Sequence, residues 1–436
     1  MKLIKKLLAL FSPLEMIILM VAITVSTLLV VPTFSSKKPQ KVPVLLFPTE
    51  KVYSVNGGYP VDVFDTSFFI VYEPVKEETQ AEIKAILNEY LVGYHKLFDR
   101  HHDYYAEAPL DPVRPTAEEK ATLPRIKNLK YINDHKGEEV EIEKALYDLL
   151  MAAKQYSINT PHNAFSMFIG ALYDYWKPYT RLAADPTEDP IRDPEKQAEI
   201  ARLTSYIPKT AADINATLEL RSEANKYYVR FNEFNGSGED LSISVGAVAK
   251  GMMTDILGEV LRSRGLTKGL VFGGQSSFLF LEDGFLDKAY NITMEPIGPG
   301  EQTFTMSRAD QYQMSTSGIY SGFKFNHAGE EIIRSHIIDP VTGYPAHKAH
   351  HMVNITSDTL SGLELDYLTT SLIVLDVNDG LTFINDIYAL DDVNVIYGGL
   401  KDGEWFISRT IGYPGGKNPM FVNDSEYSEI NLELLQ

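Results

Sequence analysis

The stretch from Leu241 to Gly274 constrains the fold of this chain more than any other. Leu241-Ser242-Ile243-Ser244-Val245 has the alternating character of a strand. The small residues of Gly246-Ala247-Val248-Ala249-Lys250-Gly251 then turn the chain into a helix. Met253, Ile256, Leu257, Val260 and Leu261 recur at helical spacing, and Gly265 is the stop signal. Leu270-Val271-Phe272 makes a second strand ending at Gly273-Gly274. A small-residue turn ahead of a helix lets backbone come close to a ligand and aims N–H groups at an anion, so phosphate is a natural occupant. The same residues would also serve close helix–strand packing. The turn matches neither G-x-G-x-x-G nor G-x-x-x-x-G-K-[ST]. Lys250 is its single cation, and a lone Lys is by default a surface residue.

Two further stretches carry chemistry-bearing residues. Ser335-His336-Ile337-Ile338-Asp339-Pro340-Val341-Thr342-Gly343-Tyr344-Pro345 sets a His and an Asp three apart beside two Pro/Gly turn signals. That suits proton or charge handling on a rigid loop, and it also suits a polar turn whose side chains cap the backbone. Ser361-Gly362-Leu363-Glu364 is a capping-box pattern, so a helix is expected from there, with Leu365, Leu368, Leu372 and Ile373 on its apolar face. Asp366 and Thr370 lie four apart on one face. A carboxylate and a hydroxyl so placed can ligate a hard cation such as Mg²⁺, or can simply hydrogen-bond to each other. Met314-Ser315-Thr316-Ser317-Gly318 reads as a hydroxyl-rich turn.

Elsewhere, Phe68 to Tyr72 reads as a strand, and Lys76–Leu97 and Ile142–Tyr156 as amphipathic helices. Asn326 to Gly329 reads as a hairpin turn. Val393–Tyr397 and Trp405–Ser408 read as a closing hairpin around Asp402-Gly403. The Pro- and Asp-rich run from Lys177 to Lys196 is expected to be a surface excursion with solvated charges, and the tail from Asn423 to be peripheral. There is no internal repeat, so residues 41–436 read as one domain, of one or two lobes.

Charge excludes some partners. Lys plus Arg is 40 and Asp plus Glu is 59, a net −19, while the first 41 residues hold six Lys and one Glu. The body therefore carries −24, which argues against nucleic acid as a partner. With no Cys, thiolate chemistry and disulfides are excluded. Lys2, Lys5 and Lys6 precede an uncharged run from Met16 to Val31. Residues 1–40 read as an uncleaved transmembrane anchor and spacer, in preference to a cleaved signal peptide, with the body outside the cytoplasm.

Taken together and in this order, these stretches resemble the FAD:protein FMN transferases, the ApbE family. The residues that carry the likeness are Gly246 to Gly251 with Asp255, then Gly273-Gly274, Thr316-Ser317-Gly318, Ser335 to Pro345, and Asp366 to Thr370. Weaker echoes lie at Leu97-Phe98-Asp99-Arg100, Tyr131-Ile132-Asn133 and Phe165 to Trp176. The resemblance implies an α+β fold of two lobes with mixed sheets and helices. It implies Mg²⁺-dependent transfer of FMN from FAD to a Thr hydroxyl of an acceptor protein, with release of AMP. Asp366 and Thr370 would hold the metal with a backbone carbonyl near Gly246 or Ala247. His336 would be the base, and Asp339 would orient the loop or His336. Lys250 and Asp255 would contact the flavin nucleotide, Thr316, Ser317 and Gly318 would line its pocket, and Gly273-Gly274 would border it. With the anchor, the expectation is a single-pass cell-membrane enzyme acting on an extracytoplasmic redox protein. Two positions depart from the family pattern: Ser244 and Gln275 stand where a carboxylate, or an Asn after the Gly pair, is usual. They leave room for an FAD pyrophosphatase or a non-catalytic flavin-binding protein.

Overall fold

The computed structural model describes residues 42–180, 189–274, 276–281, 290–294, 304–308, 312–319, 322–327, 330–348, 350–388, 393–401, 404–409 and 428–431. The N-terminal apolar run, Asp185-Pro186, Gln275, Ala328-Gly329, Asp402-Gly403 and the first residues of the acidic tail lie outside them. Among the described residues no helix is long and apolar enough to cross a membrane.

In chain order the strands are β1 (Val44–Leu46), β2 (Phe68–Tyr72), β3 (Glu139–Ile142), β4 (Leu218–Glu223), β5 (Lys226–Phe231), β6 (Gly269–Gly273), β7 (Ser277–Phe280), β8 (Tyr290–Met294), β9 (Phe304–Arg308), β10 (Tyr312–Gly318), β11 (Phe323–His327), β12 (Glu330–Arg334), β13 (His350–Ser357), β14 (Asn394–Lys401), β15 (Glu404–Arg409) and β16 (Ser428–Asn431). The helices used below are α1 (Glu77–Ile86), α2 (Val92–Phe98), α3 (Lys144–Asn159), α4 (Gly170–Trp176), α5 (Pro194–Ser205), α6 (Ala249–Ser263), α7 (Gly362–Val374) and α8 (Val377–Ile387).

A nine-stranded sheet runs β1-β2-β6-β7-β10-β13-β14-β15-β16. Its pairs are antiparallel except β15 with β16, so part of the acidic tail extends the sheet. Alternation along the strands gives it two apolar faces. Helix α6 lays Met253, Leu257 and Leu261 against Ile70, Val271 and Leu279 on one face. Beside it, α7 lays Leu365, Leu368 and Leu372 against Val353, Ile355 and Val395. Phe69, Phe272, Phe278, Phe280, Tyr312 and Met314 form the core of the other face.

The second lobe is helical, with α3 to α5 around the small sheet β3-β5-β4. Buried side chains run without a break from Leu146, Trp176 and Phe231 in this lobe to Leu365 and Tyr367 on α7. The hairpin β11–β12 stands apart from the large sheet. It leans on the helical lobe through Trp176, which stacks on Phe323 at 5.4 Å between ring centroids.

Three expectations are corrected. Met314 to Gly318 is a central strand, not a turn: β10 pairs with both β7 and β13. Leu241 to Val245 is extended but joins no sheet, because other groups take its backbone. Asn133 brackets Ile243 with two side-chain hydrogen bonds, Ser244 N donates to Met167 O, and Gly170 N donates to Ser242 O. The third concerns the Pro/Asp run. Asp189 is buried at 1% exposure, paired with Arg334, rather than solvated.

Candidate active site

Two helix N-termini meet at the centre of the site. The first, α6, begins with no side chain of its own as cap. The second, α7, begins with the expected capping box: Ser361 Oγ accepts the Glu364 N–H at 3.2 Å and Glu364 Oε2 accepts the Ser361 N–H at 2.9 Å. The first turns approach closely because both carry Gly. A Cβ on Gly251 would lie 2.0 Å from Gly362 O, and one on Gly362 would lie 2.7 Å from Gly251 O.

Each helix supplies the other with a carboxylate. Asp366, 3% exposed on α7, accepts the Gly251 N–H at 2.7 Å through Oδ2. Asp255 on α6 accepts the Gly362 N–H at 2.8 Å and the Leu363 N–H at 3.0 Å, plus the Gln313 amide at 2.8 Å. Carboxylates are favoured at helix N-termini, where unpaired N–H groups concentrate positive potential. Asp255 therefore holds α7 rather than standing free beside a ligand. Burial pushes its carboxyl up to about 6, against the pull of these three donors.

Asp366 Oδ1 accepts the hydroxyls of Ser277 at 2.6 Å and Ser315 at 2.7 Å. Burial raises its pKa, while Lys250, the two hydroxyls and the Gly251 amide hold it down. Thr369 joins this layer: Ser317 Oγ donates to Thr369 Oγ1 at 3.0 Å and Ser315 Oγ lies 3.1 Å from it. Thr316, on the other side of the strand, accepts Asn354 Nδ2 at 2.8 Å, and Gly318 pairs with Met352. Gly273 and Gly274 are packed tightly. A Cβ on Gly273 would meet Thr254 Cγ2 at 2.9 Å, and Gly274, with φ +67°, faces Thr66.

The donor set for a hard cation can be tested on these atoms. Among the described residues no group of three or more His, Asp or Glu could hold a metal. A site here would rest on one carboxylate plus neutral oxygens. Those oxygens are present. Ala247 lies ahead of α6, whose first hydrogen bond runs from Met252 N to Val248 O at 3.2 Å, so its carbonyl is not used by the helix. Neither Gly246 nor Ala247 O accepts a backbone hydrogen bond among the described residues. Thr370, half-buried one turn after Asp366, makes no hydrogen bond among them either. Asp366 Oδ2 keeps a lone pair. One carboxylate, a hydroxyl and carbonyls, completed by ligand phosphate and water, fit Mg²⁺.

The His336 loop closes on itself. Asp339 Oδ1 accepts the Val341 N–H at 2.8 Å, Oδ2 accepts the Thr342 hydroxyl at 2.9 Å, and Asp339 N donates to Tyr344 O at 2.9 Å. Its carboxylate thus fixes the turn and makes no hydrogen bond to His336. His336 Nδ1 is buried without a hydrogen-bond partner among the described residues. Burial, then the Lys250 charge, lowers the imidazole to about 4. The Lys250 ammonium acts on both His336 and Asp366 and makes no ion pair or hydrogen bond among the described residues. Lys250 on the turn is therefore within electrostatic reach of both the His336 loop and the α7 carboxylate. A neutral base, a cation and an oxygen-rich cluster so related suit phosphoryl transfer better than redox chemistry.

The earlier echoes meet behind the turn. Arg100 donates to Gly170 O at 3.2 Å and pairs with Asp174, and Asn133 holds Ile243. Ser277, Ser315, Thr369 and Gln313 were missed from sequence. The signal for the serines is strand alternation: Ser315 and Ser317 face α7 once Met314 to Gly318 is read as a strand.

Comparison with known proteins identifies the family and the fold. The ApbE family model matches residues 119–396. A FAD:protein FMN transferase of Treponema pallidum (strain Nichols) is 25% identical over 260 residues, covering 58% of this chain. That match spans 66% of the relative's own length, just under two thirds. The fold is similar to that of flavin transferase ApbE from Vibrio cholerae, with TM-score 0.57 and 16% identity over 86% of this chain and 98% of that one. It is also similar to the Pseudomonas stutzeri flavinyl transferase ApbE, with TM-score 0.55 and 18% identity over 86% and 97%.

Proposed function

The chain belongs to the ApbE family, and on that premise we propose that it transfers FMN from FAD to a Thr hydroxyl of an acceptor protein and releases AMP. The observation that carries the reading is that Lys250 lies within electrostatic reach of both Asp366 and His336, whose Nδ1 is buried without a hydrogen-bond partner among the described residues.

His336 takes the proton of the acceptor hydroxyl. The Thr oxygen bonds to the FMN phosphorus, the P–O bond to AMP breaks, and its electron pair leaves with the AMP phosphate. A base held neutral is ready at any pH above its own titration. Lys250 and the first turn of α6 bind the pyrophosphate oxygens. Asp366, Thr370 and a carbonyl of Gly246 or Ala247 hold Mg²⁺, which when bound supplies charge neutralisation at the pyrophosphate. Asp339 keeps the loop rigid. Ser317 and Gly318 border the flavin nucleotide.

The basic and then apolar N-terminal sequence supports a single-pass anchor with this body outside the cytoplasm. An extracytoplasmic redox protein is then the acceptor. The test combines purified protein, FAD, Mg²⁺ and an acceptor carrying a Thr-containing target segment. The acceptor gains the mass of one FMN, and His336→Ala abolishes the gain. AMP and free FMN without acceptor labelling would instead identify an FAD pyrophosphatase, and intact FAD throughout would identify a binding protein.

A further inference from the structure

The Pro- and Asp-rich run contributes nothing to the site as described, yet it delivers a fully buried carboxylate. Asp189 Oδ2 accepts Arg334 Nη2 at 2.6 Å, and Oδ1 accepts the Ile191 N–H at 3.2 Å. Arg334 ends β12, two positions ahead of His336. At the other end of the loop, Trp176 Nε1 donates to Gly343 O at 3.0 Å. Gly343, at φ +78°, lies so close to α5 that a Cβ there would be 2.1 Å from Thr204 Oγ1. Trp176 itself is fully buried. Between these two anchors the Asp339 turn leaves the loop little freedom.

We propose that Asp189 and Trp176 clamp the two ends of the 335–343 loop against the helical lobe, and that Asp189 is thereby a positioning residue for His336. Neither residue contacts His336 or the Asp366 cluster through any hydrogen bond. Their effect passes through Arg334 and Gly343. A buried ion pair contributes little net stability compared with apolar packing, but its geometry is strict, and breaking one partner leaves an unpaired buried charge. Here that strictness is applied to the strand that delivers the base. A displacement on the order of 1 Å at a reacting group costs roughly 10²-fold in rate.

The inference rests on the reading of His336 as the base, so the test has one readout that needs no acceptor. The full chain carries ¹³Cε1-labelled histidine, and the His336 resonance is assigned by its loss in His336→Ala. The variants are Asp189→Asn and Trp176→Phe. The second keeps an aromatic ring on Phe323 while removing the Nε1 hydrogen bond and part of the buried side chain, so it remains informative if Asp189→Asn does not fold. The expected result is a shifted or split His336 resonance in each folded variant. Single-turnover FMN transfer falls by about tenfold or more while the FAD dissociation constant stays within about twofold. An unchanged resonance in Trp176→Phe overturns the clamp. So does a shifted resonance with an unchanged transfer rate, or a loss confined to FAD affinity. Absence of transfer in the unsubstituted protein overturns the transferase reading instead, and the resonance still decides the clamp.

Discussion

Asp255 and Asp366 cap each other's helices. Asp255 on α6 takes the first two amides of α7, and Asp366 on α7 takes the Gly251 amide of α6. The crossed bonds fix the position of the candidate metal carboxylate relative to the small-residue turn, and the Gly251–Gly362 contact leaves neither helix room to slide. The Ala247 carbonyl lies just ahead of α6 and accepts no backbone hydrogen bond among the described residues. One exchange of hydrogen bonds thus sets the helix spacing beside an available oxygen.

Removing Asp255 should separate the two helices. Asp255→Ala leaves Gly362 N, Leu363 N and the Gln313 amide without their acceptor and should cost on the order of 2 kcal/mol, the upper end of measured cap losses. Asp255→Asn keeps one oxygen and should cost less. The carboxyl is raised to about 6 by burial. Its protonated form is therefore favoured by folding, and that contribution is lost as pH rises from about 4 through 6. Urea unfolding across that window should show the unsubstituted protein losing stability relative to Asp255→Asn as pH rises.

The pH profile should report a displaced histidine. His336 is lowered to about 4 by burial and then by the Lys250 charge. Transfer should keep its full rate down to about pH 5, with the acid limb near 4 rather than 6.5. In Lys250→Met, the NMR titration of His336 should move up toward 6.5. The folded state binds fewer protons than the unfolded state between those values. Stability is complete above about 6.5 and lost as pH falls through 4. His350, also lowered to about 4 by burial, adds to the same window.

Gly251→Ala should be one of the most damaging small substitutions. Its methyl would sit 2.0 Å from Gly362 O, which is backbone and cannot rotate away. Overpacking of this kind costs roughly 1–3 kcal/mol, read as a drop in Tm. Because the clash pushes α7 off α6, Mn²⁺ binding measured by EPR should weaken in the variant that still folds.

Two adjacent threonines should behave differently. Thr369 is tied to Ser315 and Ser317, whereas Thr370 is unbonded among the described residues. With FAD present, Thr370→Val and Asp366→Asn should weaken Mn²⁺ binding by at least the roughly 10- to 100-fold that loss of an outer-shell partner costs. Thr369→Val should act mainly on stability, seen as lowered Tm with metal affinity changed several-fold at most. Chelation by EDTA should lower FAD affinity in the unsubstituted protein and have no effect in Asp366→Asn.

The helices were legible because their signals are local. The α7 capping box, the periodicity of α1 and α3, and the helix that follows the small-residue turn at Gly246 all depend on neighbours within a few residues. What sequence hid was set by distant partners. Leu241 to Val245 looks like a strand, but its hydrogen bonds go to Met167 and Asn133. Met314 to Gly318 looks like a turn because Ser, Thr and Gly suit turns, yet two neighbouring strands and a helix impose an extended form on it. Asp189 looks solvated amid prolines until Arg334 is brought to it. Of the candidate site, the α7 start and the Asp339 turn were readable, since Asp339 beside Pro340 can hold its own loop. The role of Asp255 as a holder of backbone was not, since an acceptor of N–H groups and an acceptor of ligand contacts have the same letter.

The exchanged caps have a consequence in time. The partners are far apart along the chain: Gly251 and Asp366 are separated by 115 positions, and Asp255 and Gly362 by 107. Synthesis delivers the N-terminal side first. Helix α6 must therefore wait with an uncapped start until α7 arrives. A chain that stops before α7 has the small-residue turn but neither the Asp366 carboxylate nor the partner that Asp255 caps.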